Sequence, residues 1–228
     1  MRRVAFLPLV LVLPMIAAAC GGGGKHTQSA ATPPDPGAQT MRALIAAAAK
    51  DDRATVWSLL STPSQKRLGP TFPAFDRGPA AGIEQTLRPF AKATGKPLVS
   101  ERLTDQFGVV AVKRGTNALA VVLRKEGGAW KAELQSPVSI DIGGPQPGSR
   151  TLVGQIGVEV HAPATPTVGY LWVDGTTLNP MIYPGRTSAT VYANLDKPLP
   201  AGTHTAVAFA QEGRDATARA WTFTATKS

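Results

Sequence analysis

The sequence predicts an α+β domain followed by an all-β sandwich, carried behind an N-terminal export segment and a polar tether. Three observations predict this. Apolar spacing is helical as far as Phe90 and switches to strand alternation from Leu98. From residue 152 onward, short apolar runs alternate with turn chemistry at near-regular intervals. The opening residues run from an uncharged apolar stretch through Cys20, the one cysteine of the chain, into a Gly/Ser/Thr/Pro segment.

Arg2 and Arg3 precede Val4 to Ile16, which carries no charge and contains Pro8 and Pro14. That run is shorter than the roughly 20 residues a membrane-spanning helix needs. With Ala17 to Ala19 after it, the layout is that of a signal peptide over 1–19. The stretch Ile16-Ala17-Ala18-Ala19-Cys20-Gly21 resembles the lipobox of bacterial lipoproteins. It departs from that pattern in having Ala17 where Leu is usual, and Ala17-x-Ala19 also fits the cleavage site of a freely secreted protein. The resemblance implies a diacylglyceryl group and acyl chains such as palmitate on Cys20. It also implies attachment to the extracytoplasmic face of the cell membrane. A lone exposed thiol in an oxidising compartment would otherwise be a liability. With Cys20 modified, no thiol remains for a disulfide or a nucleophile.

Residues 20–39 read as a lipidated, disordered tether, with a root-mean-square reach of roughly 25 Å for such a composition. Residues 40–93 read as helical. Met41, Leu44, Ile45 and Ala48 form an i, i+3, i+4, i+7 stripe. Asp51 or Asp52 caps a segment with Val56, Leu59 and Leu60. Thr62-Pro63-Ser64-Gln65 reads as a capping box. Ile83, Leu87 and Phe90 mark a further helix. Four strands follow at 98–103, 107–113, 117–125 and 129–135, and the third is apolar on both faces and hence central. The helices "ALIAAAAKDDRATVWSLL" and "TPSQKRL", with the paired strands "NALAVVLRKEGGAWKAEL", resemble nuclear-transport-factor-2-like domains. The resemblance implies an α+β cone-like domain over 40–136.

The second domain is placed at 137–228, after or including the loop "GGPQPGS" and a leading strand Val138 to Ile142. Its strands are 152–161, 168–173, 177–183, 187–193, 203–211 and 216–225, with Asp174-Gly175 as a primed hairpin turn. The run "LPAGTHTAVAFAQEGRDATARAWTFTA" resembles the last hairpin of bacterial immunoglobulin-like domains. The resemblance implies an immunoglobulin-like β-sandwich, which is a scaffold and not an activity.

Residues 40–135 hold 15 Lys/Arg against 8 Asp/Glu, while 136–228 hold 6 of each. The excess charge of the first domain implies anionic lipid headgroups or acidic wall polymers as partners, or a solvated surface with none. The export signal and the lack of interleaved stacking aromatics argue against nucleic acid. No spacing for a metal, nucleotide or other cofactor occurs, and no hydrolase elbow.

The histidines are His26 in the tether, His161 at a strand end and His204 at a strand start, the last expected to make a structural hydrogen bond. Glu101 alternates with Val99 and Leu103, and is the one pocket candidate on an apolar face. Glu133 should face away from Trp130, Ala132 and Leu134. Either glutamate could act as a base, and a surface ion pair with Lys131 or Arg102 is the favoured reading of both. The expectation is a lipid-anchored cell-envelope protein that binds or scaffolds, with an envelope protein among its candidate partners, and is not an enzyme. A small-molecule binder or enzyme using the cone, and an accessory factor for cell-wall assembly, stand as the alternatives.

Overall fold

The computed structural model describes residues 35–93, 95–166 and 168–227. The signal peptide, Cys20 and His26 lie outside the described residues.

Among the described residues five helices come first: α1 (Pro36–Ala49), α2 (Arg53–Leu59), α3 (Thr62–Leu68), α4 (Phe72–Arg77) and α5 (Pro79–Leu87), with a 3-10 turn over Arg88–Lys92. Helix α1 starts inside the expected tether. Asp35 caps it by accepting from the Gly37 amide at 2.9 Å, and Pro36 stands at the first helical position, where a missing N–H costs nothing. Asp52 caps α2 through the Thr55 amide. The cap of α3 is Ser61, one residue before the expected Thr62, and Gln65 donates to the Trp57 carbonyl instead of closing a capping box. Helix α4 has no counterpart among the expected elements, because its six residues are too few to show a period. Arg53 ties α2 to α4 and α5, reaching Glu84 at 2.8 Å and Asp76 at 3.0 Å; the Glu84 and Asp76 carboxylates hold its guanidinium charged well above the ordinary range.

The antiparallel meander is β1 (Val99–Arg102), β2 (Phe107–Arg114), β3 (Asn117–Glu126) and β4 (Ala129–Glu133), in that spatial order. These are the four strands expected from the sequence. One face packs on the helices, burying Val110, Val121, Leu123 and Ala132 against Met41, Leu44, Phe75, Leu87 and Phe90. A Cβ on Gly37 would stand 2.7 Å from Leu123, so glycine there lets α1 lie close on the sheet.

The remaining strands make two sheets. One has β10 (Met181–Pro184), β11 (Ser188–Asn194), β7 (Gln155–His161) and β5 (Ser139–Gly144) in that order. The other runs β6 (Arg150–Thr151), β13 (Asp215–Ala225), β12 (Gly202–Glu212), β8 (Val168–Val173) and β9 (Thr176–Thr177). Between them lies a core that includes Ile156, Val158, Val160, Leu171, Val191, Ala206, Ala208, Trp221 and Phe223. The second half is thus a β-sandwich. The expected strand 177–183 is split: Thr176 and Thr177 turn back on β8, and after Asn179-Pro180 the chain pairs with β11 in the other sheet. Proline cannot donate to a ladder, which makes it a natural crossing point. Asp174 and Gly175 both have positive φ, 50° and 82°, as the primed turn requires.

A third core joins the halves. Val99, Phe107, Val109, Ala111 and Val122, on the other face of the meander, pack against Trp172, Val207, Phe209 and Ala216. The order of layers is helices, meander, the sandwich sheet that carries β12, and the sandwich sheet that carries β7. The described residues therefore form one unit. The boundary expected at 136–137 falls in the connection between β4 and β5, and what lies on either side of it shares buried apolar surface.

Candidate functional site

Glu101 and Glu133, the two carboxylates weighed from the sequence, both project from the meander face that meets the sandwich, and their surroundings differ. Glu101 is exposed, on β1 beside buried Val99, and accepts a hydrogen bond from Trp172 Nε1 at 3.0 Å. Its exposure leaves it outside the apolar pocket that would have made it a candidate base. It caps an indole at the rim of the third core, where the polar edge of a buried Trp needs an acceptor.

Glu133 departs further from expectation. Its side chain is fully buried, and its ion pairs are with Arg67 and Arg124, not with Lys131 or Arg102. Oε2 accepts from Ser61 Oγ and Arg124 Nε, each at 2.7 Å. Oε1 accepts from Ser64 Oγ at 3.2 Å and Arg67 at 3.4 Å. Position 133 faces away from Ala132, as alternation requires, but the sandwich covers that face, and strand periodicity carries no record of such a cover.

Each donor comes from a defined element. Ser61 and Ser64 stand at the start of α3, where Ser61 is also the helix cap. Arg124 comes from β3, with its guanidinium 4.8 Å over the Phe107 ring. Both arginines continue into the sandwich: Arg67 reaches Asp215 at 2.7 Å, and Arg124 donates to the Arg214 carbonyl at 2.6 Å. The cluster fastens the β12–β13 turn to the helical half. A buried carboxylate is tolerated only when paired and fully hydrogen-bonded, and here each oxygen has two donors.

Beside the cluster a cleft of about 390 Å³ opens between α5, β3 and β13. Pro79, Ile83, Leu87, Leu119, Val121, Leu134 and Ala218 supply apolar lining; Thr86, Glu133, Ser136 and Thr217 supply polar groups. The cleft exists because β4 pairs with β3 only from Val122 onward, so the other end of β3, Asn117 to Val121, has an open edge on that side among the described residues. Gly82 lines the cleft from α5, and a Cβ there would meet nothing within 4 Å. The opening is the size of a small-molecule site and is mostly apolar, as such sites are.

His204 makes the structural bonds expected of it. Nδ1 is 2.6 Å from Asp174 and Nε2 is 2.7 Å from the Pro200 carbonyl. His161 is half exposed, 3.4 Å from Asp141. Among the described residues no helix is long and apolar enough to cross a membrane, and no His/Cys/Asp/Glu group has the arrangement of a metal site.

No protein-family model matches the chain, and no curated protein does. Solved structures match parts of it at low similarity. PcoC, a methionine-rich copper resistance protein from Escherichia coli, is 18% identical with a TM-score of 0.27, over 38% of this chain and 98% of that one. The endo-β-1,4-mannanase from Thermotoga petrophila is 10% identical with a TM-score of 0.32, over 42% of this chain and 21% of that one. Dpr2 Ig1-Ig2, solved in complex with DIP-Theta Ig1-Ig3, is 13% identical with a TM-score of 0.27, over 51% of this chain and 40% of that one.

Proposed function

We propose that the chain is a lipid-anchored cell-envelope protein that acts by binding, and that its ligand site is the cleft between α5, β3 and β13. In this reading Cys20 carries the lipid, the helical half is a nuclear-transport-factor-2-like cone and the sandwich is immunoglobulin-like. One observation carries the choice of binding over catalysis. Glu133, the one carboxylate lining the cleft among the described residues, has both oxygens occupied by four donors. A general base must have a lone pair free within about 3 Å of the substrate proton. What the cleft offers a ligand is apolar surface, hydroxyl groups and the open strand edge. An accessory role in wall assembly is compatible with the same site.

Gly82 gives a direct test. Replacing it by Leu fills open space in the cleft and, in a helix interior, favours folding by up to about 1 kcal/mol. The native protein is expected to enhance the fluorescence of an apolar naphthalene-sulfonate dye with saturable binding. Gly82→Leu is expected to abolish that signal with the unfolding temperature unchanged or raised. Equal dye binding by a stably folded Gly82→Leu would show that this cleft is not the site. For the address, Cys20→Ala is expected to move the protein out of the membrane fraction; if it stays there, the lipid does not hold it.

A further inference from the structure

On the outer face of the β10–β11–β7–β5 sheet, Tyr183 and Tyr192 stand on neighbouring strands with their rings parallel. The centroids are 5.5 Å apart and the planes 6° apart, and Tyr192 donates from its hydroxyl to that of Tyr183 at 3.2 Å. That hydrogen bond, with some loss of hydration, pushes the Tyr192 hydroxyl above its ordinary pKa. Tyr183 covers one face of Tyr192. The opposite face looks across the ladder toward β7, where the residue paired with Tyr192 is Gly157. A Cβ on Gly157 would lie 3.2 Å from the Tyr192 Cβ, tighter than side chains normally pack. The next strand presents Gly143, whose own Cβ would lie 3.3 Å from the Gly157 carbonyl. Glycine at these positions accommodates the Tyr192 side chain and the β5 bulge between Ile142 and Gly144, and it leaves the sheet surface bare beside the Tyr192 ring.

The result is an open groove of about 720 Å³ with the glycines as floor and Tyr192 as one wall. Gln155, Glu159 and Thr190 line it with hydrogen-bonding groups, and Leu152, more than half exposed, is the large apolar side chain of its lining. The ring is held in place before any ligand arrives, by stacking on one side and the hydroxyl bond at its tip. Such preorganisation spares a ligand the cost of ordering the side chain.

A ligand for this groove must have an apolar face about one ring wide, hydroxyls around its edge and no negative charge. The first fits Tyr192. The second fits the Glu159 carboxylate, which accepts from paired hydroxyls, and the Gln155 amide, which donates and accepts. The third follows because Glu159 is the one charged side chain among the groove's described lining residues. A nucleotide would stack equally well but would set its phosphates near that carboxylate.

We propose that this groove binds a neutral glycan, with the C–H face of a hexopyranose ring against Tyr192. The site lies on the sandwich and is independent of the cleft beside Glu133.

The test is calorimetric titration of the intact folded chain with cellohexaose, chitohexaose and the anionic polymer polygalacturonate. At least one neutral hexamer is expected to bind saturably, and polygalacturonate is not. Tyr192→Phe keeps the ring face and is expected to hold affinity within about threefold. Tyr192→Ala is expected to weaken it at least about tenfold, equivalent to about 1.4 kcal/mol. Gly82→Leu is expected to bind the glycan like the native chain, which separates this site from the cleft. Saturable binding of neither hexamer, preference for polygalacturonate, or equal affinity in Tyr192→Ala would each overturn the proposal.

Discussion

Glu101 and Glu133 stand on the two edge strands of one sheet, in the same cross-strand row and on the same face, and the difference between them is solvent. Glu101 can lose its charge at little cost, because Trp172 needs only an acceptor and Gln supplies one. Glu133 cannot, because its removal leaves Arg124, one-tenth exposed, without its counter-charge and leaves Ser61 and Ser64 with unmade bonds. Breaking a buried pair from one side costs about 3–5 kcal/mol. Chemical denaturation of Glu133→Ala is therefore expected to show a loss of that size, against less than about 1 kcal/mol for Glu101→Gln. A small loss for Glu133→Ala would mean that the cluster is solvated and does not fasten the halves. Alternation in the sequence places the faces of both residues. It cannot rank them, since burial here depends on Asp215 and Arg214, far along the chain in the sandwich.

At the scale of elements, the strands are legible because their period is short and their turns carry Gly, Asp and Asn at the bends. The helical stripe of Met41, Leu44, Ile45 and Ala48 is legible for the same reason. Helix starts are harder to read. Within residues 61–65, Ser61, Thr62 and Ser64 all have capping chemistry, and the choice of Ser61 goes with Glu126 accepting from the Thr62 amide and hydroxyl. The most informative signal is the apolar run in β3. It marks a central strand, and it also means a sheet covered on both faces. The run Thr205 to Ala210 in β12 says the same: Ala206 and Ala208 point into the sandwich, while Val207 and Phe209 point into the third core. Helix α2 supplies a pH test. Hydrogen bonds from the Thr55 side chain and amide, ahead of the nearby Lys50 charge, hold the Asp52 carboxyl below its ordinary pKa. A depressed folded pKa gives stability that is present above the ordinary carboxylate range and lost as pH falls through the folded value. Asp52→Asn keeps a capping side chain but cannot titrate. The variant is expected to lose less stability than the native chain between neutral pH and about pH 3, and an identical acid dependence in unfolding curves would contradict the cap's role.

For the whole molecule, the charge pattern changes meaning once the fold is in view. Arg53, Arg67, Arg88, Arg102 and Arg124 of the helical half are all engaged in ion pairs. Apart from Asp215, their partners are acids already counted in the helical half, so the excess itself stands, but these five arginines serve the fold, with Arg67 and Arg124 acting between the halves. The composition break near 136–150 marks a change of layer more than a hinge. The halves share the core of Val99, Phe107, Val109, Trp172, Val207 and Phe209, fastened at its edge by the Glu133 cluster. The proposed cleft takes its walls from both, with Leu119 and Val121 on one side and Thr217 and Ala218 on the other. If the halves moved freely, the cleft would have no fixed shape. Scanning calorimetry of the chain tests this most directly. One cooperative transition is expected, with calorimetric and van't Hoff enthalpies in agreement. Phe209→Ala is expected to lower the stability of the whole by about 3–5 kcal/mol without splitting the peak. Two resolved transitions in the native chain, or a Phe209→Ala variant in which only the sandwich melts earlier, would contradict it.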